Sequence, residues 1–144
     1  MYILLGTNVF KVKIFTIGKC KEKWLEEALA EYEKRLRGKM AIEWLLVKND
    51  AELIEWTKTE PYIALDPQGE LFSSEAWSQK MVQLGLRLNF VIGGAEGLPS
   101  PLLKNARLKW SLSPLTFTHQ MTRLILVEQL YRATEIERGS QYHK

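Results

Sequence analysis

The stretch Leu108-Lys109-Trp110-Ser111-Leu112, followed by Ser113-Pro114-Leu115-Thr116-Phe117-Thr118 and then by His119 to Glu137, reads as strand, loop and helix in direct succession. The loop is rich in hydroxyls. Thr118 is the natural N-cap, because its oxygen can accept from the unpaired amides of a first helical turn. Met121, Leu124, Ile125, Val127, Leu130 and Tyr131 are expected on the buried face of that helix. The chain closes on Gln141-Tyr142-His143-Lys144, an aromatic ring, an imidazole and an ammonium where domains usually carry little constraint. Such a tail points to groups that meet a ligand.

The same succession repeats upstream. Lys11-Val12-Lys13-Ile14-Phe15-Thr16-Ile17 alternates polar and apolar residues and stops at Gly18, the pattern of a strand. From Glu22 to Arg37, Trp24, Leu25, Ala28, Leu29, Tyr32 and Leu36 return at helical spacing until Gly38 ends the helix. Ala41 to Val47 reads as a second strand, and a short helix from about Asp50 to Thr57 stops before Pro61. Tyr62-Ile63-Ala64-Leu65 is a short strand ending in the turn Asp66-Pro67-Gln68-Gly69. Ser73 or Ser74 caps a helix reaching about Leu84. Leu88 to Ile92 is the next strand, bounded by Gly93-Gly94, and Ser100-Pro101 starts another helix. Alternating strands and helices specify an α/β fold, a parallel-type sheet with helices on both faces. With no internal repeat and no linker, residues 1–144 are expected to form one domain.

Composition narrows the class. A chain of 144 residues, 46% hydrophobic and 26% charged, is long enough to bury a core without staples. Its formal net charge of +3 permits nucleic-acid binding without demonstrating it. Cys20 is the single cysteine, so no internal disulfide and no multi-cysteine zinc site can form. Met1-Tyr2-Ile3-Leu4-Leu5-Gly6 is too short to span a bilayer and lacks the features of a signal peptide. A soluble, cytoplasmic protein with no membrane association is expected.

In open α/β sheets, ligands sit in the loops beyond the carboxyl ends of the strands. That rule selects the loops after Leu65, Ile92 and Leu112. Gly93-Gly94-Ala95-Glu96-Gly97 lacks the spacing of a dinucleotide fingerprint, has no acidic residue at the ribose position, and carries no phosphate-loop Lys. It reads either as a tight strand-to-helix turn or as a backbone that lets a flat ligand approach closely. Ser113, Thr116 and Thr118 serve as caps or as ligand contacts. His119 stands at the helix N-terminus, where the dipole disfavours its charged form. Glu128 and Arg132 are spaced for an intrahelical pair. Arg123, one turn into the helix, is unfavourably placed for the dipole and therefore more suggestive. No cluster has metal-ligand spacing, and no metal is expected. Chemistry alone reaches an α/β protein that binds a nucleotide-like small molecule.

These residues resemble the RlmH family, small SPOUT-class methyltransferases of 23S ribosomal RNA. The resemblance rests on Lys13-Ile14-Phe15-Thr16-Ile17-Gly18-Lys19, Glu31-Tyr32-Glu33-Lys34-Arg35-Leu36, Ala64-Leu65-Asp66 with Gly69, and Val91 to Gly97. It continues through Trp110-Ser111-Leu112-Ser113, Leu115-Thr116, His119-Gln120, Arg123, Glu128 to Ala133 and Tyr142-His143-Lys144, covering about residues 10 to 144. Members of the family start near Lys11, so Met1 to Val9 is additional, read as an added edge strand or an upstream start.

The resemblance implies an α/β trefoil knot near the C-terminus, S-adenosylmethionine as methyl donor, and N3 of a pseudouridine in 23S rRNA, within the ribosome, as acceptor. It also implies a homodimer. By position it assigns the cofactor to Leu65, Gly94, Ser113, Pro114, Leu115, Thr116, Phe117 and Thr118. Methyl transfer to an N–H requires the proton to leave, so a base or a cation that stabilises the imide anion is needed. His143 is the first candidate for the base. Tyr142 is expected to stack on or bond to the nucleobase, and Arg123 and Lys144 to hold phosphate or stabilise the anion. Basic residues from Lys19 to Lys23, with Lys104, Arg107, Lys109 and Arg138, are candidates for phosphate contacts. A non-catalytic RNA- or ribosome-binding module and a nicotinamide oxidoreductase are the competing classes; neither needs a pocket for a sulfonium donor.

Overall fold

The computed structural model of the chain describes residues 9–144. Its elements in chain order are β1 (Phe10–Ile17), α1 (Lys23–Arg35), β2 (Met40–Val47), α2 (Asp50–Trp56), β3 (Ile63–Leu71), α3 (Ser74–Leu84), β4 (Arg87–Ile92), α4 (Ser100–Asn105), β5 (Leu108–Ser111) and α5 (His119–Glu137). The expected edge strand over Met1 to Val9 falls, except for Val9, outside the described residues.

The strands form one sheet in the order β2-β1-β4-β3-β5, and every pairing is parallel. Strand alternation sends successive side chains to opposite faces. Val12 and Ile14 of β1, Leu88, Phe90 and Ile92 of β4, and Ile63 and Leu65 of β3 enter one core with residues of α1, α3 and α5. Phe15, Val91 and Ala64 face the other way, against Leu53 of α2 and Leu102 of α4. Helices therefore cover both faces, as the alternating pattern requires. The first core centres on an aromatic group: Trp77 stacks on Phe90 at 6.1 Å, and Trp110 meets Trp77 edge-on at 4.8 Å. Burying a side chain of that size stabilises the fold by about 2–3 kcal/mol.

Three expectations need correction. The turn at Asp66 does not end its strand: Leu65 and Glu70 both pair with Trp110, so residues 66–69 form an excursion and β3 resumes to Leu71. Gly69 makes this possible, since a Cβ there would lie 2.8 Å from the Lys109 carbonyl. The buried stripe of α5 agrees with the expectation only in part. Arg123, Leu126, Val127, Leu130, Ala133 and Thr134 are buried, Leu124, Ile125 and Tyr131 are half-buried, and Met121 is exposed. Leu124 to Val127 is apolar at four successive positions, which leaves the periodic pattern too little contrast to fix the face. Trp24, read with the apolar face of α1, is 50% exposed, while Leu25 and Leu29 carry that face. Capping follows the local chemistry more closely. Asn49, Ser73 and Thr118 each accept from an amide of the first turn, whereas α4 has Pro99 at its cap and Pro101 inside.

Candidate active site

The carboxyl ends of β3, β4 and β5 open onto a cleft of about 380 Å³. Its walls are the three loops that the strand-end rule selects. Leu65 to Gln68 comes from the β3 excursion, Ile92 to Leu98 from the glycine loop, and Leu112, Ser113, Leu115, Thr116 and Phe117 from the loop before α5. Leu103 of α4 and His119 and Thr122 of α5 complete it. The volume falls within the range of small-ligand sites.

The glycine loop folds back on itself. Gly97 donates to the Gly94 carbonyl at 3.0 Å, and Gly97 has φ of +82°. A Cβ on Gly93 would lie 2.5 Å from the Gly97 carbonyl carbon, so only glycine fits at that position. The loop is a tight turn, and its backbone forms one wall of the cleft. The hydroxyl-rich loop spends its side chains on its own shape. Ser111 Oγ donates to the Ser113 carbonyl at 3.0 Å, Ser113 Oγ accepts from the Leu115 amide at 3.0 Å, and Thr118 Oγ1 accepts from Met121 at 3.2 Å. Pro114 and Thr118 shape the loop from outside the cleft, and Leu115 is 70% exposed at its mouth.

The electrostatics of the cleft are one-sided. Asp66 and Glu96 line it, with no Lys or Arg among the lining residues and His119 as its one basic group. Asp66 Oδ1 also accepts from the Gln68 amide at 3.2 Å, which fixes that carboxylate in the excursion.

Arg123 lies beneath this rim and does not line the cleft. It is 1% exposed, and its Nη2 donates to the carbonyls of Ile17 at 2.9 Å and Gly18 at 2.8 Å. Burial lowers its pKa from the usual guanidinium value. The side chain thus ties the start of α5 to the end of β1, which accounts for a cation at an unfavourable dipole position. Ile17 in turn lies against Gly94, so this tie supports the glycine wall from behind. Cys20 is half-buried nearby, and burial pushes its thiol up, so it stays protonated at neutral pH.

The C-terminal tail forms a separate constellation against α3 and the second half of α5. Tyr142 donates its hydroxyl to Glu128 Oε2 at 2.8 Å and meets the Tyr131 ring edge-on at 4.8 Å. Burial, and then the bond to Glu128, push its pKa up. Arg132 pairs with Glu128 as the spacing predicts, at 2.8 Å, and places its guanidinium over the Tyr142 ring. His143 lies between Arg132 Nη1 at 3.0 Å and Glu75 Oε2 at 3.1 Å. Arg138 is exposed and pairs with Glu135, which also binds Lys39; Lys144 is exposed. No tail residue lines the cleft, and Arg132 stands roughly 20 Å along the α5 axis from His119. Within one chain the cleft brings together Leu65, Gly94, Ser113, Leu115, Thr116 and Phe117, leaves Pro114 and Thr118 outside, and keeps His143 and Tyr142 apart from them.

Sequence reasoning passed over Glu75, whose only signal is an acid in the first turn of a helix. It also passed over Leu98, Leu103 and Thr122, ordinary apolar or helical residues until the cleft is assembled. Among the described residues no helix is long and apolar enough to cross a membrane. None of their acidic, His or Cys side chains form a group of three able to hold a metal ion.

Residues 10–143 match the family described as "Predicted SPOUT methyltransferase". A protein of Protochlamydia amoebophila named ribosomal RNA large subunit methyltransferase H is 55% identical, over 94% of this chain and 100% of its own length. Proteins with the same name from Synechococcus and Prochlorococcus marinus are 42% and 41% identical, over 95% of this chain and 99% and 98% of theirs. A solved structure, a probable methylase family protein from Haemophilus influenzae, superposes with a TM-score of 0.60, covering 92% of this chain and 70% of that one. At 11% identity it supports the fold alone. With the parallel sheet, the loop-walled cleft and a family match over nearly the whole chain, the protein belongs to the SPOUT methyltransferase family.

Proposed function

We propose that this chain transfers a methyl group from S-adenosylmethionine to N3 of a pseudouridine in 23S ribosomal RNA, within the ribosome. The observation that carries the donor's identity is the charge of the cleft. A site with two carboxylates and no Lys or Arg is poorly suited to the phosphates of a nicotinamide dinucleotide. It suits a ligand of net positive charge, whose sulfonium and ammonium outweigh its single carboxylate. The substrate assignment rests on the relatives' names and on the tail residues that resemble the RlmH family. That family likeness also brings the trefoil knot and a cytoplasmic setting into the proposal.

Leu65, Gly94, Ser113, Leu115, Thr116 and Phe117 would hold the donor, with Leu65, Leu115 and Phe117 as apolar contacts and loop amides and carbonyls facing the adenine, while Pro114 and Thr118 keep the loop in shape. When bound, S-adenosylmethionine supplies an electrophilic methyl group. The protein's task is then positioning, exclusion of water and management of one proton. His143 is the group proposed to take the proton from N3, Tyr142 to contact the nucleobase, and Lys144 and Arg138 to hold RNA phosphates. Arg123 contributes by fixing the rim. Because tail and cleft are separate within one chain, a homodimer that sets one protomer's tail beside its partner's cleft completes the site. Symmetric pairing provides two such sites at once.

Thermal shift with S-adenosylmethionine, S-adenosylhomocysteine and NAD tests the donor, since a ligand bound by the native state alone raises apparent stability. Stabilisation by the first two and none by NAD is expected. A protein that ignores all three yet binds ribosomes would be a non-catalytic RNA-binding module. Methylation of ribosomes, compared with free 23S rRNA, tests the acceptor.

A further inference from the structure

We propose that Arg132 and Glu75 are positioning residues that hold His143 as its neutral Nε2–H tautomer, leaving Nδ1 as its one proton-accepting nitrogen. The inference rests on the reading of His143 as proton acceptor and adds how the fold prepares it. A guanidinium donates and never accepts. Arg132 Nη1 lies 3.0 Å from His143 Nδ1, so Nδ1 must present its lone pair. The neutral ring then carries its hydrogen on Nε2, which lies 3.1 Å from Glu75 Oε2, an acceptor. The two contacts demand the same tautomer from opposite sides. An imidazolium in this place would set its Nδ1–H against an Arg132 N–H.

The groups that impose this are themselves held. Glu128 grips Arg132 through both oxygens, Nε to Oε1 at 3.3 Å and Nη2 to Oε2 at 2.8 Å, and also accepts from Tyr142. Arg132 therefore has a fixed direction, which a lone exposed pair would lack. Glu75 sits in the first turn of α3, where its own backbone amide and then the His143 ring hold its carboxyl below the usual range. The helix that carries it is tied to α5 by Ser74 Oγ donating to Gln129 at 2.9 Å and Ser78 Oγ donating to the Ala133 carbonyl at 3.0 Å. The spacing between Glu75 and the ring is thus set by two packed helices.

A proton leaving N3 passes to Nδ1 as Arg132 withdraws its N–H, and N3 keeps the electron pair. The imidazolium so formed keeps its Nε2–H on the Glu75 carboxylate, now as an ion pair. Arg132 falls back on Glu128. Glu75 therefore stabilises the charged ring, and Arg132 selects which nitrogen reacts.

Nitrogen-15 spectra of the imidazole side chains test this in the full-length protein at pH 7.5, without RNA or donor. The chain has two histidines, so His119→Asn assigns both. The expected spectrum shows His143 protonated at Nε2 alone, with Arg132→Met giving mixed tautomers and Arg132→Lys restoring the single form. Protonation at Nδ1 in the wild type overturns the proposal, as does an unchanged spectrum in Arg132→Met. Glu75→Gln keeps an acceptor oxygen and removes the charge. It is expected to retain the tautomer and lower kcat about tenfold, with KM for S-adenosylmethionine unchanged; wild-type kcat would remove Glu75 from the scheme. Failure to bind the donor would overturn the functional reading and leave the tautomer result untouched.

Discussion

The sheet has a cavity at each end, and the larger is not the one at the loop-built rim. At the amino ends of the strands, a groove of about 590 Å³ is lined by Lys11, Lys13, Arg87 and Arg107, with Glu43 and Glu60, over apolar residues that include Val12, Ile63 and Leu88. At the carboxyl ends, the 380 Å³ cleft is lined mostly by loop residues, with two carboxylates and three glycines, of which Gly93 is packed too closely for any side chain. In the groove, strand side chains meet a loop carboxylate: Lys13 of β1 pairs with Glu60 at 2.8 Å, and Asn89 of β4 donates to the same carboxylate at 3.0 Å. In the cleft, the Ser113 and Thr122 hydroxyls are taken up in shaping the loop and the start of α5, and the glycine backbone forms one wall. Volume reports where elements fail to meet. Loops at a rim can vary while the strands beneath them stay fixed.

The sharpest way to break this contrast is a matched pair of substitutions. Gly93→Ala forces a Cβ into the Gly97 backbone and should lower affinity for S-adenosylmethionine by at least about 100-fold, roughly 2.7 kcal/mol. Arg87→Ala, in the amino-end groove, should leave it unchanged. Isothermal titration of both decides, and equal losses would erase the distinction between the two ends.

Arg123→Met should come next in size. Removing the guanidinium leaves the Ile17 and Gly18 carbonyls without their donor and should destabilise the protein by about 3 kcal/mol, a fall in Tm of roughly 10 °C. Calorimetry showing wild-type stability with abolished methylation would return Arg123 to direct contact with substrate.

A smaller effect sharpens the electrostatic side. Glu96→Gln should weaken S-adenosylmethionine by about three- to tenfold and S-adenosylhomocysteine less, because only the first carries the sulfonium charge. Equal weakening of both ligands would show that the carboxylate does not sense that charge.

The smallest effect belongs to the amino-end groove. Lys13 holds the Glu60 carboxyl below its ordinary value. A folded-state pKa lowered in this way contributes stability above the unfolded value near 4.5 and loses it as pH falls through the folded one. With both side chains about 40% exposed, Glu60→Gln should cost less than about 1 kcal/mol at pH 7, and the difference should vanish near pH 3. Denaturant midpoints at the two pH values measure it. A larger cost, or one that persists in acid, would mean the groove is more than satisfied surface.

Most of the fold was legible because its signals are local. Alternation in Lys11 to Ile17, the caps at Ser73 and Thr118, and the glycines closing β1 and β4 each act within a few residues, where backbone geometry is set. Strand order and the meeting of three loops were reached through a general rule of parallel sheets. The apolar stripe of α5 is only partly legible, because every position from Leu124 to Val127 is hydrophobic. Trp24 was grouped with a face that it does not join.

By itself, then, the sequence determined the α/β class, the parallel order of strand and helix, and which loops end at the carboxyl rim. Only the tertiary structure decided that Arg123 turns inward to β1, that the cleft excludes Lys and Arg, and that Glu75 meets His143. Such contacts join residues distant along the chain, and their partners are chosen by the packing of α3, α5 and the sheet. No short-range preference of a single residue encodes that choice.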